Sequence, residues 1–199
     1  MVLTFDSLTI ILVLLIFVIM YRIYVTSDIF QLKCIVSDVD GKKYCVRERE
    51  KIEDAADRLA KVNEHLIALV EYCVKTYPSD ERSKRLAKNF NPSKIVETLP
   101  TSEYTAYTEN KGEKIAFCLD VKKTETSNLI DLNTLTYVAI HELAHIASES
   151  IGHTQEFWTN FKFLLVTAEK IKIYKPVDYK KTPKEYCGKK ITDNPYFDV

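Results

Sequence analysis

The chain is 199 residues long, which is enough for one domain and a short appendage. Its 28 basic and 28 acidic residues balance, and no basic tract dominates, which argues against a dedicated nucleic-acid-binding protein. Only four glycines and six prolines occur, so the composition contains no low-complexity linker. We therefore expect one folded domain that does not have nucleic acid as a partner.

Residues 8–25, with the sequence LTIILVLLIFVIMYRIYV, are apolar enough to span a bilayer if Arg22 extends to the interface. No basic residue precedes this run and no small-x-small cleavage site follows it. A membrane anchor is therefore favoured over a cleaved signal peptide or a buried helix. This interpretation divides the chain into a transmembrane anchor at residues 1–28 and a second domain at residues 29–199.

The distribution of basic residues around the apolar run bears on membrane topology. Four of them lie after its uncharged part, which ends at Tyr21, and none precedes it: Arg22, Lys33, Lys42 and Lys43. This asymmetry favours a cytosolic location for the second domain, with the side of the membrane left open.

Residues 32–47 predict a β-hairpin around Asp40-Gly41, whose two-residue turn would place Val36 opposite Cys45. Cys34 and Cys45 would then be diagonal, an arrangement that allows a disulfide but does not imply one. The five cysteines are scattered and form no CxxC pair, which predicts mostly reduced, buried thiols.

Two helices are predicted after the hairpin. Residues 48–77 carry apolar side chains at spacings of three and four, and Pro78 ends this pattern. The second helix runs through Asn89, and residues 93–98 are predicted to form a short helical turn.

The next predicted helix contains the motif HELAH, from His141 to His145, within the uninterrupted segment LTYVAIHELAHIA. Histidines four residues apart lie on one face of a helix, so both imidazoles can reach one metal ion. Glu142 can reach a water bound to that ion. This is the His-Glu-x-x-His arrangement of zinc hydrolases. The alternative is two hydrogen-bonded core histidines, but three of the four histidines fall within thirteen residues.

A catalytic zinc site needs a third protein ligand and one open position. His153 is the leading candidate, because Gly152 allows a sharp turn that could fold this side chain back over the metal. Three carboxylates are the rival candidates: Glu149, Glu156 and Asp178.

The motif HELAH, followed by a short loop and GHTQEFW, is similar to the WLM and SprT/Spartan-like zinc metallopeptidases. The resemblance implies that His141, His145 and His153 bind Zn²⁺ and that Glu142 is the general base. It also implies that the Phe-Trp pair at 157–158 packs in the core. The seven residues between the last two histidines depart from the commonest WLM spacing. The whole chain also resembles small predicted metallopeptidases of large DNA viruses, in motifs such as DGKKYCVR, NKGEKIAFCL and YCG.

The same resemblance implies an α+β, zincin-like metallopeptidase domain, with a small antiparallel sheet packed on helices and HExxH on the central helix. Strands are predicted at residues 104–108 and 114–121. Ile115 to Leu119 is the candidate edge strand, to which a peptide substrate could add. Residues 174–199 predict an extended tail, whose candidate hydroxyl donors to an oxyanion are Tyr174, Tyr179 and Tyr186.

Together these features favour a zinc endopeptidase anchored in a virion or host membrane through residues 8–25, with a protein or peptide as its substrate. A protease acting on DNA-associated proteins is a second hypothesis, opposed by the neutral charge and the anchor. A non-enzymatic viral membrane or assembly protein that retains a zinc-binding fold is the third, and the fold alone does not choose among them.

Overall fold

The structure is a computed structural model that describes residues 7–123 and 128–198. The α-helices in these residues are α1 (Ser7–Thr26), α2 (Asp28–Gln31), α3 (Ile52–Thr76), α4 (Glu81–Asn89), α5 (Leu132–Ala147) and α6 (Gln155–Lys170). The strands are β1 (Lys33–Val36), β2 (Lys43–Val46), β3 (Ile95–Glu97), β4 (Ala106–Glu109), β5 (Lys114–Phe117), β6 (Lys184–Tyr186) and β7 (Lys189–Ile191). A short 3₁₀-helix at Pro195–Phe197 follows. The predicted α+β class is confirmed.

Helix α1 confirms the helical form of the predicted apolar segment. It has 20 residues, none of them buried, and it is the one helix of the described chain that is long and apolar enough to cross a membrane. At about 1.5 Å per residue such a helix is about 30 Å long, which matches the hydrocarbon core of a bilayer. The Thr101 hydroxyl donates to the Val25 carbonyl (2.9 Å), so the end of α1 contacts the rest of the chain.

Five strands form one sheet in the order β1-β2-β3-β5-β4. The pairs β1/β2 and β4/β5 are antiparallel, whereas β3 is parallel to both of its neighbours. The prediction of an antiparallel sheet was therefore wrong, because the segment predicted as a helical turn at residues 93–98 contains β3. The side chains of Ile95 and Glu97 are buried in this strand.

The edge strand beside the central helix is β4, not the segment Ile115 to Leu119 that the sequence suggested. Ile115 pairs with Ile95 on one side and with Thr108 on the other. The residues of β5 after Lys114 are fully buried, whereas those of β4 are partly or fully exposed. An apolar strand gains most from two neighbours, which explains why β5 lies inside the sheet.

The first hairpin differs from its predicted register by two residues. Cys34 lies opposite Cys45, and Val36 lies opposite Lys43, because residues 37–42 form a longer turn. The carboxylate of Asp57 on α3 holds this turn by accepting from Ser37 Oγ (2.5 Å).

Four of the five cysteines are paired, which corrects the prediction of mostly reduced thiols. The disulfides are Cys34–Cys45 and Cys118–Cys187, and Cys73 is free and buried. The second bond joins positions 69 residues apart, so spacing in the sequence could not have indicated it.

Helix α5 lies at the centre of the fold, as predicted for the helix that carries HExxH. It packs against α3, α4, α6 and strand β4. Its apolar side chains, including Leu135, Ile140 and Leu143, are buried. Fully burying a side chain of this kind contributes roughly 1.5–3 kcal/mol, so α5 is held firmly by the core.

Candidate metal centre

Helix α5 places two of the predicted ligands side by side. The Asp131 carboxylate caps its first turn by accepting from the Thr134 amide (2.9 Å), and the helix then runs without interruption through His141 and His145. The two imidazole rings lie one turn apart, with centroids separated by 5.1 Å. The local periodicity of the helix is sufficient to produce this pair.

The loop after α5 returns the third histidine to the same place. Gly152 has φ +81°, a left-handed conformation that side chains disfavour. Thr154 then caps α6, because its hydroxyl accepts from the Phe157 amide (3.3 Å). His153 lies between this turn and the cap, with its ring centroid 5.0 Å from those of both His141 and His145.

The buried ring of Phe157 forms a shared apolar floor for the three histidines. Its centroid lies 4.8 Å from His141, 4.4 Å from His145 and 4.7 Å from His153. The prediction that this residue packs in the core is confirmed. Trp158 was predicted to be buried with it, but its side chain is 40% exposed and lies against His153 at 5.7 Å.

The coordinating nitrogens of the three histidines converge. One nitrogen from each ring lies within 4.8 Å of the others, and His153 Nε2 is 3.1 Å from His141 Nε2. Zn–N bonds of about 2.0–2.1 Å in a tetrahedral site put two ligand nitrogens roughly 3.3–3.4 Å apart. Three imidazole nitrogens on a rigid helix and a fixed turn therefore fit a zinc ion.

Electrostatics keep two of these imidazoles neutral at physiological pH. Burial, followed by the nearby His145 and His153, lowers the pKa of His141 to about 3. Burial, followed by His153 and Lys111, lowers the pKa of His145 to about 4. A neutral imidazole offers the lone pair that a metal ion requires.

Glu142 is held at the same site by the edge strand. Its side chain is buried (5% exposed), and its Oε2 accepts a hydrogen bond from Thr108 Oγ1 on β4 at 2.9 Å. Burial raises the pKa of this carboxyl to about 7, and the Thr108 hydroxyl opposes the rise. A carboxyl tuned to neutral pH is suited to accepting and returning a proton. No spacing in the sequence indicated the contribution of Thr108.

Lys111 and Glu156 fix the loop that carries His153. The Lys111 ammonium donates to the backbone carbonyls of Ser148 (3.0 Å), Glu149 (3.1 Å) and Ser150 (2.8 Å) at the end of α5. The Glu156 carboxylate accepts from the amides of Glu149 (2.8 Å) and Ser150 (3.0 Å). These amide hydrogen bonds lower the pKa of Glu156 to about 2, so it remains ionised. Sequence reasoning missed Lys111, because it joins the loop from the distant β4–β5 turn.

The structure assigns the three rival carboxylates other surroundings. Glu149 is exposed, and Glu156 binds the loop amides. Asp178 pairs with Lys181 (2.8 Å). Within residues 7–123 and 128–198, the cluster that could hold a metal consists of His141, His145 and His153.

Two cavities flank this cluster. A cleft of about 920 Å³ is lined by β4, by the cluster and by Glu142. A second cavity of about 390 Å³ lies beside His141 and Glu142, with Trp158 and Tyr186 in its wall. Of the three tyrosines considered as oxyanion donors, Tyr186 alone lines either cavity, and its hydroxyl donates to the Thr105 carbonyl (3.2 Å).

The relatives of this chain are viral. It is 34% identical over 156 residues to "Uncharacterized protein R325" of Acanthamoeba polyphaga mimivirus, a match that covers 76% of this chain and 78% of that protein. It is 38% identical over 82 residues to an uncharacterized protein of Invertebrate iridescent virus 6, covering 41% of this chain and 44% of the relative. A protein of Invertebrate iridescent virus 3, also uncharacterized, is 38% identical over 99 residues, covering 50% and 56%.

The α+β fold and the histidine cluster define a protein with a candidate metal centre, and the relatives named above are viral. The chain belongs to the family of the mimivirus protein. No family model matches it. The crystal structure of Wss1 from Saccharomyces cerevisiae is similar at a TM-score of 0.46 and 18% identity, covering 64% of this chain and 88% of that chain. A structural similarity this weak does not decide the activity.

Proposed function

We propose that this chain is a zincin-type, WLM-like zinc endopeptidase of viral origin, anchored in a membrane through residues 8–25. In this proposal residues 1–28 are the anchor and residues 29–199 the metallopeptidase domain. The partner is a protein or peptide substrate, and nucleic acid is not one. One observation carries the proposal: a buried, hydrogen-bonded Glu142 stands next to three converging imidazoles at the wall of an open cleft.

Each part of the site has a role in peptide hydrolysis. His141, His145 and His153 would hold the zinc ion. When bound, zinc acidifies a water molecule and polarises the scissile carbonyl. Glu142 accepts the proton of the attacking water and delivers it to the leaving amine. Thr108 orients the Glu142 carboxylate, and Phe157 keeps the three rings in register without competing for the metal.

The cleft offers a way to position a peptide. Among the described residues, strand β4 is the outermost strand at one edge of the sheet, and it lines the cleft together with the face of α5 that carries His141 and His145. An extended peptide can add to such an edge through backbone hydrogen bonds, largely independently of its sequence. The bond to be cut would then lie against Glu142, because Thr108 on the same edge contacts this carboxylate.

Metal removal tests the proposal directly. The full chain, purified in detergent and loaded with zinc, should cleave members of a mixed peptide library. A zinc chelator should abolish cleavage, and an equimolar addition of zinc should restore it. Fragments identified by mass spectrometry report the cleavage, and metal analysis reports zinc per chain. A chain that binds one zinc yet cleaves no peptide would support the non-enzymatic hypothesis instead.

The side of the membrane is part of the proposal. The basic residues after α1 predict a cytosolic domain, whereas two disulfides are typical of an oxidising compartment. We give more weight to the disulfides, because the Cys118–Cys187 bond requires two cysteines 69 residues apart to meet in the fold. The domain is therefore assigned to the side facing away from the cytosol.

The substitution Lys180→Asn tests this assignment by creating the acceptor sequence Asn-Lys-Thr at residues 180–182, where the chain is exposed. Expressed in animal cells, this variant should gain mass that an endoglycosidase removes, because glycosylation occurs only in the lumen. The matched control Lys180→Gln makes no acceptor and should show no shift. An unglycosylated Lys180→Asn variant would restore the cytosolic assignment.

A further inference from the structure

We propose that the substrates are membrane proteins, cut in the extended segment that adjoins their own transmembrane helix. This inference rests on the proposed function and names the substrate class of that site. It follows from where the cleft lies relative to α1, the candidate membrane helix.

The end of α1 is joined to the wall of the cleft. Thr101 donates to the Val25 carbonyl in the last turn of α1 (2.9 Å), and Thr26 itself lines the cleft. The same cleft reaches His141 and Glu142 at its other end. One continuous cavity therefore extends from the membrane end of α1 to the candidate catalytic group.

The wall between these two ends is a single short segment. Residues 101–104 lead from the contact with α1 into the edge strand β4, and all of them line the cleft. Thr108, which holds Glu142, is seven residues after Thr101. At no more than about 3.6 Å per residue, the distance along this wall is at most about 25 Å. A substrate that leaves the bilayer beside α1 needs roughly seven or eight extended residues to reach Glu142.

The surroundings of this end of the cleft suit a bilayer interface. Tyr21 and Tyr24 are exposed near the end of α1, the position that interfacial aromatic residues prefer. Ile29 and Phe30 on α2 are 85% and 57% exposed, and the Phe30 ring lies 5.7 Å from that of Tyr24. Apolar side chains grouped around the last turn of a membrane helix are stable in the headgroup region.

The opening of the cleft also carries exposed apolar and aromatic side chains. Tyr104 is 62% exposed and Ile151 is 88% exposed, and both line the cleft. A polypeptide emerging from a bilayer is extended, carries apolar and aromatic residues, and is held at the height of this opening. A soluble protein would have to bring an unfolded segment to the membrane surface to enter it.

The test uses the full chain with zinc in phosphatidylcholine vesicles, together with a synthetic single-pass probe. The probe has a Leu/Ala helix and a flexible Gly/Ser tail that carries the best-cleaved soluble peptide. In two versions that sequence lies about 8 or about 30 residues from the helix. Effective concentration falls roughly as the −3/2 power of tether length, so the near site should be cut about sevenfold faster.

A linker variant provides the matched control. Inserting about 15 Gly/Ser residues between Ser27 and Asp28 releases the domain from α1 and leaves the metal centre unchanged. This variant should cleave the soluble peptide at the original rate and cut the two probes at nearly equal rates. If only the linker variant loses the preference for the near site, the contact between α1 and the domain is the cause of that preference.

The outcomes separate the inference from the proposed function. If the original chain cleaves the soluble peptide but cuts both probes equally, or prefers the distant site, the inference is overturned and the peptidase stands. If the zinc-loaded chain cleaves no soluble peptide in detergent, the proposed function fails and the inference falls with it.

Discussion

Replacing Glu142 by glutamine should abolish peptide cleavage while leaving zinc bound. Glutamine has nearly the same shape and can keep the hydrogen bond from Thr108, but its amide cannot accept the proton of the attacking water. Loss of a general base costs about 10²–10⁴-fold, so we expect kcat/KM to fall by at least about 10²-fold. Zinc per chain should equal that of the original protein, because the three imidazoles are untouched.

The matched control is Glu149→Gln. It makes the same chemical change on an exposed side chain one turn beyond the motif. Surface substitutions of this kind usually change stability by less than about 0.5 kcal/mol, and activity should stay within about twofold. If the Glu142 variant keeps more than a tenth of the activity with zinc bound, another group must activate the water, and the assigned mechanism is wrong.

The sequence predicts that the three histidines come together, because that information is local. His141 and His145 come together through helical periodicity alone. Gly152 indicates the turn that brings His153 over the helix, and its positive φ agrees with this interpretation. The structure brings all three rings together as the motif predicted, and it places Glu142 beside the edge strand.

The parts that the sequence did not predict depend on distant contacts. Lys111 reaches the end of α5 from a β-turn, and Thr108 meets Glu142 across 34 residues. The carboxylate of Glu156, considered as a metal ligand, holds the loop that carries His153. Each of these contacts is a hydrogen bond between two different parts of the fold. The periodicity and the composition of a sequence do not indicate which residues form such bonds.

The sheet was less predictable than the helices for the same reason. Strand β3 has only three residues and was predicted as a helical turn, because its two parallel neighbours are distant in sequence. The buried Glu97 on this strand accepts from Arg47 Nε at 2.7 Å, so even its charge is satisfied across 50 residues. Short strands are specified by the sheet that receives them rather than by their own residues.

Membership of the family of the mimivirus protein does not indicate the chemistry of this chain, since the viral relatives are themselves uncharacterized. The proposed activity is therefore inferred from the residues of the site. In the sequence, the third ligand had the least support of the three, because the spacing from His145 to His153 departs from the commonest WLM spacing. The most informative second experiment is accordingly on His153.

Replacing His153 by alanine should remove most of the zinc affinity without unfolding the chain. His153 is exposed and lies outside the helices, whereas its Nε2 is 3.1 Å from that of His141. Even hydrogen-bond partners behind metal ligands change affinity by about 10–100-fold, so loss of a ligand should exceed about 100-fold. Titration with a competing chelator measures the affinity, and circular dichroism checks the fold.

His65→Ala is the matched control, because His65 is the remaining histidine of the chain. His65 lies on α3, and its Nδ1 is 2.9 Å from Thr136 Oγ1 on α5. It is not part of the cluster of three histidines. Zinc affinity should be unchanged in this variant.

Because burial keeps the pKa of His141 and His145 at about 3 and 4, protons do not compete for these ligands at neutral pH. A His153 variant that keeps its full zinc affinity at pH 7 would therefore place the third ligand elsewhere, and Glu149 in the adjoining loop would be the first residue to replace next.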